Sequence, residues 1–113
     1  MEKGVRFEID YLQYVDADGV LQNPDLPEFA KDKSQLVALY QEMVKVRAFD
    51  TKAIALQRTG KLGTYASSLG HEASHIGIGS GMQIDDVLAP SYREYGAQIV
   101  RGVKPREILL FWG

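Results

Sequence analysis

The chain is 113 residues long, with 13 Lys+Arg against 15 Asp+Glu and a formal net charge of −2. That length allows one compact domain, and 45% hydrophobic with 25% charged residues excludes a disordered or fibrous chain. Basic residues are scattered singly, so nothing builds the positive field that a nucleic-acid backbone requires, and nucleic acid is not an expected partner. With no cysteine, disulfides, thiolate metal sites and a cysteine nucleophile are all ruled out. No apolar run approaches the roughly 20 residues needed to cross a bilayer. The start, Met1 to Phe7, lacks a secretory apolar region. No membrane association is expected, and a cytoplasmic location is.

Val5, Phe7, Ile9 and Tyr11 alternate before the chain reaches Asp16-Ala17-Asp18-Gly19, a sequence suited to a tight turn. This predicts an extended arm with a hairpin. Asn23-Pro24-Asp25-Leu26-Pro27 denies both helix and central strand, so a linker and a boundary fall there; the arm and linker occupy 1–33. From Asp32, a candidate N-cap with Gln35 three residues on, apolar residues recur at Leu36, Leu39, Tyr40, Met43, Val44, Phe49, Ala53, Ile54 and Leu56. One long amphipathic helix is predicted. It should stop near Arg58, since Gly60 suits the left-handed position past a helix end and Arg58 and Lys61 complement the dipole.

Residues 60–71 carry glycines, serines and a threonine, which is loop chemistry. Glu72 to Met82 then reads as a helix. Its Gly77, Gly79 and Gly81 each cost about 1 kcal/mol against alanine, so a closely approaching neighbour is the expected reason for them. Val87-Leu88-Ala89-Pro90 suggests one short buried strand. A short helix over Ala97 to Arg101 should end at Gly102, and Pro105 should open another running through Trp112. An apolar patch such as Leu109-Leu110-Phe111-Trp112 needs a cover, so the expectation is a piece of a longer protein or a chain that needs a partner.

Two constellations could carry chemistry. His71-Glu72-Ala73-Ser74-His75 is a literal HExxH, whose histidines would share a helix face and bind zinc, with Glu72 as general base and Glu94 as third ligand. Against this, Gly70 places His71 at the helix start, where a rigid ligand pair is poorly held. The plainer reading is an acidic residue favoured by the helix dipole between two partly exposed histidines. The second constellation is Tyr92-Arg93, at the end of the presumed strand. A planar guanidinium fork there suits phosphate oxygens, with a phenol beside it. On residue arithmetic alone a surface Arg93 paired with Glu94 or Asp86 is the favoured alternative.

Taken in order, the segments Tyr40 to Asp50, Gly60-Lys61-Leu62-Gly63, Gly70-His71-Glu72-Ala73, Asp85-Asp86, Tyr92-Arg93, Arg101-Gly102 and Arg106 to Leu109 carry a resemblance. The stretch from about Ser34 to Gly113 resembles the alpha subunits of thiamine diphosphate-dependent 2-oxo acid dehydrogenases, the bacterial pyruvate dehydrogenase type in particular. The resemblance implies an α/β thiamine diphosphate-binding fold in a chain about three times longer, of which 34–113 is the opening, mainly helical part. It also implies an alpha2-beta2 heterotetramer with a beta subunit. That assembly would decarboxylate a small 2-oxo acid on thiamine diphosphate and magnesium, then transfer the acyl group to the lipoyl arm of a dihydrolipoyl acyltransferase.

By position, Tyr92 and Arg93 match the family pair that contacts the cofactor diphosphate. Tyr65 falls where the family often has an aromatic near the active-site entrance and is expected with them as a cofactor-binding residue, and Glu72 falls on a glutamate read as structural. His71 stands where the family commonly has glutamine. The Gly-Asp-Gly motif with its downstream asparagine, which holds magnesium in the family, is absent and is expected beyond residue 113; the segment alone should be inactive. Two rival readings are a small zinc hydrolase using His71, Glu72 and His75, and a helical interaction module presenting Leu109 to Trp112 to a partner chain.

Overall fold

The computed structural model describes residues 4–113; residues 1–3, the start of the expected arm, lie outside that range. Contacts divide the chain into two units, Met1–Lys33 and Ser34–Gly113. In the first, residues 4–13 form no regular element, and Val5, Phe7, Ile9 and Tyr11 are exposed. The expected hairpin is reduced to one antiparallel bridge, Val15 to Leu21. Asp16 holds its turn: the carboxylate accepts bonds from the backbone N–H of Asp18 at 3.0 Å and of Val20 at 2.8 Å, and from Gln22 Nε2 at 2.6 Å. An isolated ribbon with no third strand is marginal in water, and no third strand occurs among the described residues. Residues 23–27 form neither helix nor strand, and α1 (Glu28–Lys31), a single turn entered through extended Pro27, follows without having been signalled by any periodicity.

The second unit is built from α2 (Lys33–Arg58), all but its first residue, with α3 (Glu72–Gly81), α4 (Tyr95–Val100) and α5 (Pro105–Trp112). The end of α2 is a Schellman cap. Gly60 takes φ 73°, its N–H bonds the Gln57 carbonyl at 3.0 Å, and the Lys61 N–H bonds the Leu56 carbonyl at 2.9 Å. The same pattern closes α4 at Gly102, φ 101°, with Gly102 bonding Ile99 and Val103 bonding Gln98, both at 3.0 Å. Pro105 opens α5, whose first turn is tied by Glu107 Oε2 accepting the Lys104 N–H at 2.8 Å.

The core gathers Phe49 and Ala53 from α2, Leu62 and Tyr65 from the loop, Tyr95 from α4 and Ile108 from α5, with Leu109 and Trp112 packed against them. Tyr65 and Tyr95 stack at 5.2 Å, while Phe49 and Trp112 each meet both rings edge-on at 5.8 to 6.4 Å. These are the offset and T-shaped arrangements that ring quadrupoles favour. Part of the apolar C-terminal run is thereby absorbed, whereas Leu110 and Phe111 remain exposed.

Three expectations need correction. The stripe of α2 is buried only in its second half, at Val46, Phe49, Asp50 and Ala53; Leu36, Tyr40 and Val44 are exposed, because α3 to α5 reach only that half. Residues 87–90 form no strand, and Val87 is exposed, since no parallel or antiparallel neighbour exists within the described residues to take its backbone bonds. Of the glycines in α3, only Gly79 meets a neighbour. A Cβ built there would stand 3.0 Å from both the Cα and the carbonyl oxygen of Ala97 and would overlap Val100, whereas Gly77 and Gly81 face open space. Gly96 of α4 provides the reciprocal close approach, since a Cβ there would lie 2.7 Å from that of His75.

Candidate functional site

The most heavily bonded side chain in the second unit is Asp50, 3% exposed on the inner face of α2. Its Oδ1 accepts bonds from the Tyr65 hydroxyl at 2.9 Å, the Ser68 N–H at 2.7 Å and the Ser68 hydroxyl at 3.3 Å. Its Oδ2 accepts from the Ser67 hydroxyl at 2.6 Å. A buried carboxylate requires such compensation, and here the 65–68 loop supplies it. Tyr65 is therefore placed in the core, with its hydroxyl committed to Asp50; burial and then that bond push its phenol well above the ordinary tyrosine range. Burial likewise pushes Tyr95 up to about 12, offset in part by the Ala66 backbone.

Arg93 reaches the same loop from the segment before α4. Its Nη1 donates to the Ser67 carbonyl, and its Cζ lies 5.3 Å from the centre of the exposed Tyr92 ring, within cation–π range. The alternative of a surface ion pair does not hold. Glu94 instead accepts the N–H groups of Ser91 at 2.9 Å and Arg93 at 3.1 Å, bonds that lower its pKa despite burial. Asp86 turns its carboxylate to the Gln83 N–H at 2.7 Å, and among the described residues no carboxylate pairs with Arg93. The result is a half-buried guanidinium that no carboxylate among the described residues pairs with, anchored at one nitrogen beside an aromatic ring.

Neighbouring α3 is fixed separately. Glu72, 4% exposed, receives Arg47 of α2 on one oxygen and the Gly70 N–H on the other at 3.0 Å. The Arg47 bond, against the opposing effect of burial, holds the Glu72 carboxyl at about 2. This commitment explains why the HExxH run does not assemble as a metal centre. Glu72 faces Arg47, His75 is buried while His71 is exposed, and no group of three His, Cys, Asp or Glu able to hold a metal occurs among the described residues. His75 is held below its ordinary pKa by burial, then by the His71 charge, and its Nδ1 is buried without a hydrogen-bond partner.

Sequence reasoning thus singled out Tyr65, Tyr92 and Arg93 but missed Asp50 and Ser67, which link Tyr65 to Arg93. A signal existed. Asp50 sits four residues after Val46 and three before Ala53, on a face otherwise apolar, and Tyr65, Ser67 and Ser68 form a run of donors.

A family model described as "Dehydrogenase E1 component" matches residues 40–113. The chain belongs to this family. Among curated members of the dehydrogenase E1 family, it is 36% identical over 100 residues to "Pyruvate dehydrogenase E1 component subunit alpha" of Mycoplasma genitalium, covering 88% of this chain and 28% of the relative. It is 35% identical over 104 residues to the protein of the same name in Staphylococcus epidermidis, covering 92% and 28%. It is also 34% identical over 110 residues to "3-methyl-2-oxobutanoate dehydrogenase subunit alpha" of Mycobacterium tuberculosis, covering 93% and 29%. The chain therefore spans just over a quarter of the length of the curated relatives it matches. No solved structure matches it. The resemblance read from the order of short segments is borne out at the level of family and alpha subunit. Among the described residues no helix is long and apolar enough to cross a membrane.

Proposed function

We propose that this chain is the N-terminal part of the alpha subunit of a 2-oxo acid dehydrogenase, of the pyruvate type, in which Arg93 and Tyr92 hold the diphosphate of thiamine diphosphate. The observation that carries this reading is Arg93 itself. Its charge is left without a carboxylate, and its neighbour Glu94 is diverted to backbone N–H groups. A planar cation in that state is matched to a multiply charged anion, and phosphate oxygens accept parallel bonds from such a fork. The residues present thus fit the diphosphate end of the cofactor.

When bound, the cofactor would supply a carbon nucleophile and an electron sink. The chain's own contribution is positional. The Ser67 carbonyl takes up one guanidinium nitrogen and leaves the rest of the fork for the ligand, and Tyr92 presents a phenol alongside. Tyr65 enters through its bond to Asp50. Residues 34–113 would then be the opening of the thiamine diphosphate-binding domain and 1–33 an arm, with the magnesium ligands beyond residue 113. In this reading a beta subunit completes an alpha2-beta2 heterotetramer, a 2-oxo acid is decarboxylated, and the acyl group passes to a dihydrolipoyl acyltransferase in the cytoplasm; the 113 residues alone are inactive. The relatives' names, two for pyruvate dehydrogenase and one for 3-methyl-2-oxobutanoate dehydrogenase, support the substrate class.

In the full-length enzyme assembled with its beta subunit, Arg93→Ala is expected to weaken thiamine diphosphate binding by roughly 30-fold or more, the value of a lost charge-assisted pair. An unchanged cofactor titration would refute the assignment. Reading the coding sequence past residue 113 is an independent check: a Gly-Asp-Gly followed by asparagine is expected there.

A further inference from the structure

We propose that Asp50 is a positioning residue for Arg93, acting through the peptide group that joins Ser67 to Ser68. The proposal rests on the reading of Arg93 as a phosphate ligand and adds what orients it. A trans peptide is planar, with its N–H and C=O on opposite edges. On one edge the Ser68 N–H donates to Asp50 Oδ1 at 2.7 Å; on the other the Ser67 carbonyl accepts Arg93 Nη1. The anion and the cation thus hold the two ends of a single rigid dipole.

The plane cannot turn freely about its flanking bonds. The Ser67 hydroxyl is tied to Asp50 Oδ2 at 2.6 Å, and Ser68, fully buried, adds its own hydroxyl to Oδ1 at 3.3 Å. Asp50 is fixed in turn by α2 and by the Tyr65 hydroxyl at 2.9 Å. Rotating the carbonyl away from Arg93 would therefore break bonds to a buried carboxylate. The charge on Asp50 also polarises the N–H it accepts, which strengthens the carbonyl of the same peptide as an acceptor. Both effects set the direction and plane of the guanidinium before any ligand arrives, and pre-ordering a side chain in its bound geometry raises affinity.

The deciding experiment is calorimetric titration of thiamine diphosphate, with magnesium present, into the full-length enzyme assembled with its beta subunit. Ser67→Ala removes one of the four bonds to Asp50 and is expected to raise the Kd roughly 3- to 10-fold, the coupling expected of directly interacting groups. Asp50→Asn should act in the same direction, and Ser67→Thr, which keeps the hydroxyl, should restore affinity. In an Arg93→Ala background, Ser67→Ala should change nothing further. If Asp50→Asn does not assemble, the Ser67 variants alone decide. Should Arg93→Ala weaken binding while Ser67→Ala leaves it unchanged, or costs the same with and without Arg93, the positioning role of Asp50 is refuted. Should Arg93→Ala itself have no effect, it is the phosphate-ligand reading that fails.

Discussion

Replacing Gly79 and Gly77 by alanine, one at a time, separates two opposite effects within a single helix. Both positions lie inside α3, and alanine is favoured over glycine there by about 1 kcal/mol, through reduced freedom of the unfolded chain and better helix propensity. At Gly77 a Cβ meets nothing within 4 Å, so the gain should appear undiminished. At Gly79 the new Cβ would overlap Val100 and stand 3.0 Å from backbone atoms of Ala97, which cannot swing aside as a side-chain tip can. To accommodate it α3 must move away from α4, and overpacking of this kind costs about 1 to 3 kcal/mol. Gly79→Ala should therefore be destabilising by about 1 kcal/mol net, leaving the two variants about 2 kcal/mol apart. With an m-value of about 2 kcal/mol/M, their urea midpoints should differ by about 1 M, and m itself should not change. A Gly79→Ala midpoint at or above that of the parent chain would refute the reasoning, as would a Gly77→Ala variant destabilised to the same degree.

Three further expectations concern charge and backbone. Glu72 is held at about 2 when folded against 4.5 unfolded, so its contribution is present above pH 4.5 and lost as pH falls towards 2; Glu72→Gln should flatten the acid limb of a stability profile, and an unaltered limb would count against the Arg47 bond. His75, a base whose folded pKa is lowered, favours the unfolded chain once protonated, so its contribution is complete above pH 6.5 and declines below it. It faces His71, Glu72, Arg93 and Glu94, of which the two acids partly oppose the shift, and a proton NMR titration should give a midpoint under 6.5; one at or above that value would disprove its burial. At Gly60, with φ 73° and space for a Cβ, alanine should cost about 1 kcal/mol for backbone strain alone, measurable as a lower urea midpoint, and no loss would mean the cap is not formed.

Helix ends were legible in the sequence because their chemistry is local. Gly60, Gly102 and Pro105 each determine a backbone angle within one turn of themselves, and the structure puts all three to that use. The order of short segments pointed to the family for a similar reason, since spacing along a chain needs no knowledge of contacts. Asp50 was only half legible: its place on an apolar face could be read, but an aspartate within a helical pattern reads as a solvated position until the loop supplying its donors is known to fold back over it. Gly79 could not be told from Gly77 and Gly81 by composition, since the difference lies entirely in where α4 passes. The strand expected at 87–90 failed for lack of a partner: an apolar run states that burial is wanted, not what will provide it.

Because α2 is held by the core only from Val46 onward, its 26 residues do not share one stability. Deuterium uptake should be graded along a single continuous hydrogen-bond ladder. Amides near Lys33 to Lys45 exchange through fraying, and those around Phe49 to Ala53 exchange only when the aromatic cluster comes apart. The boundary between the two regimes would fall beside Arg47, whose ion pair with Glu72 ties α2 to α3 at that point.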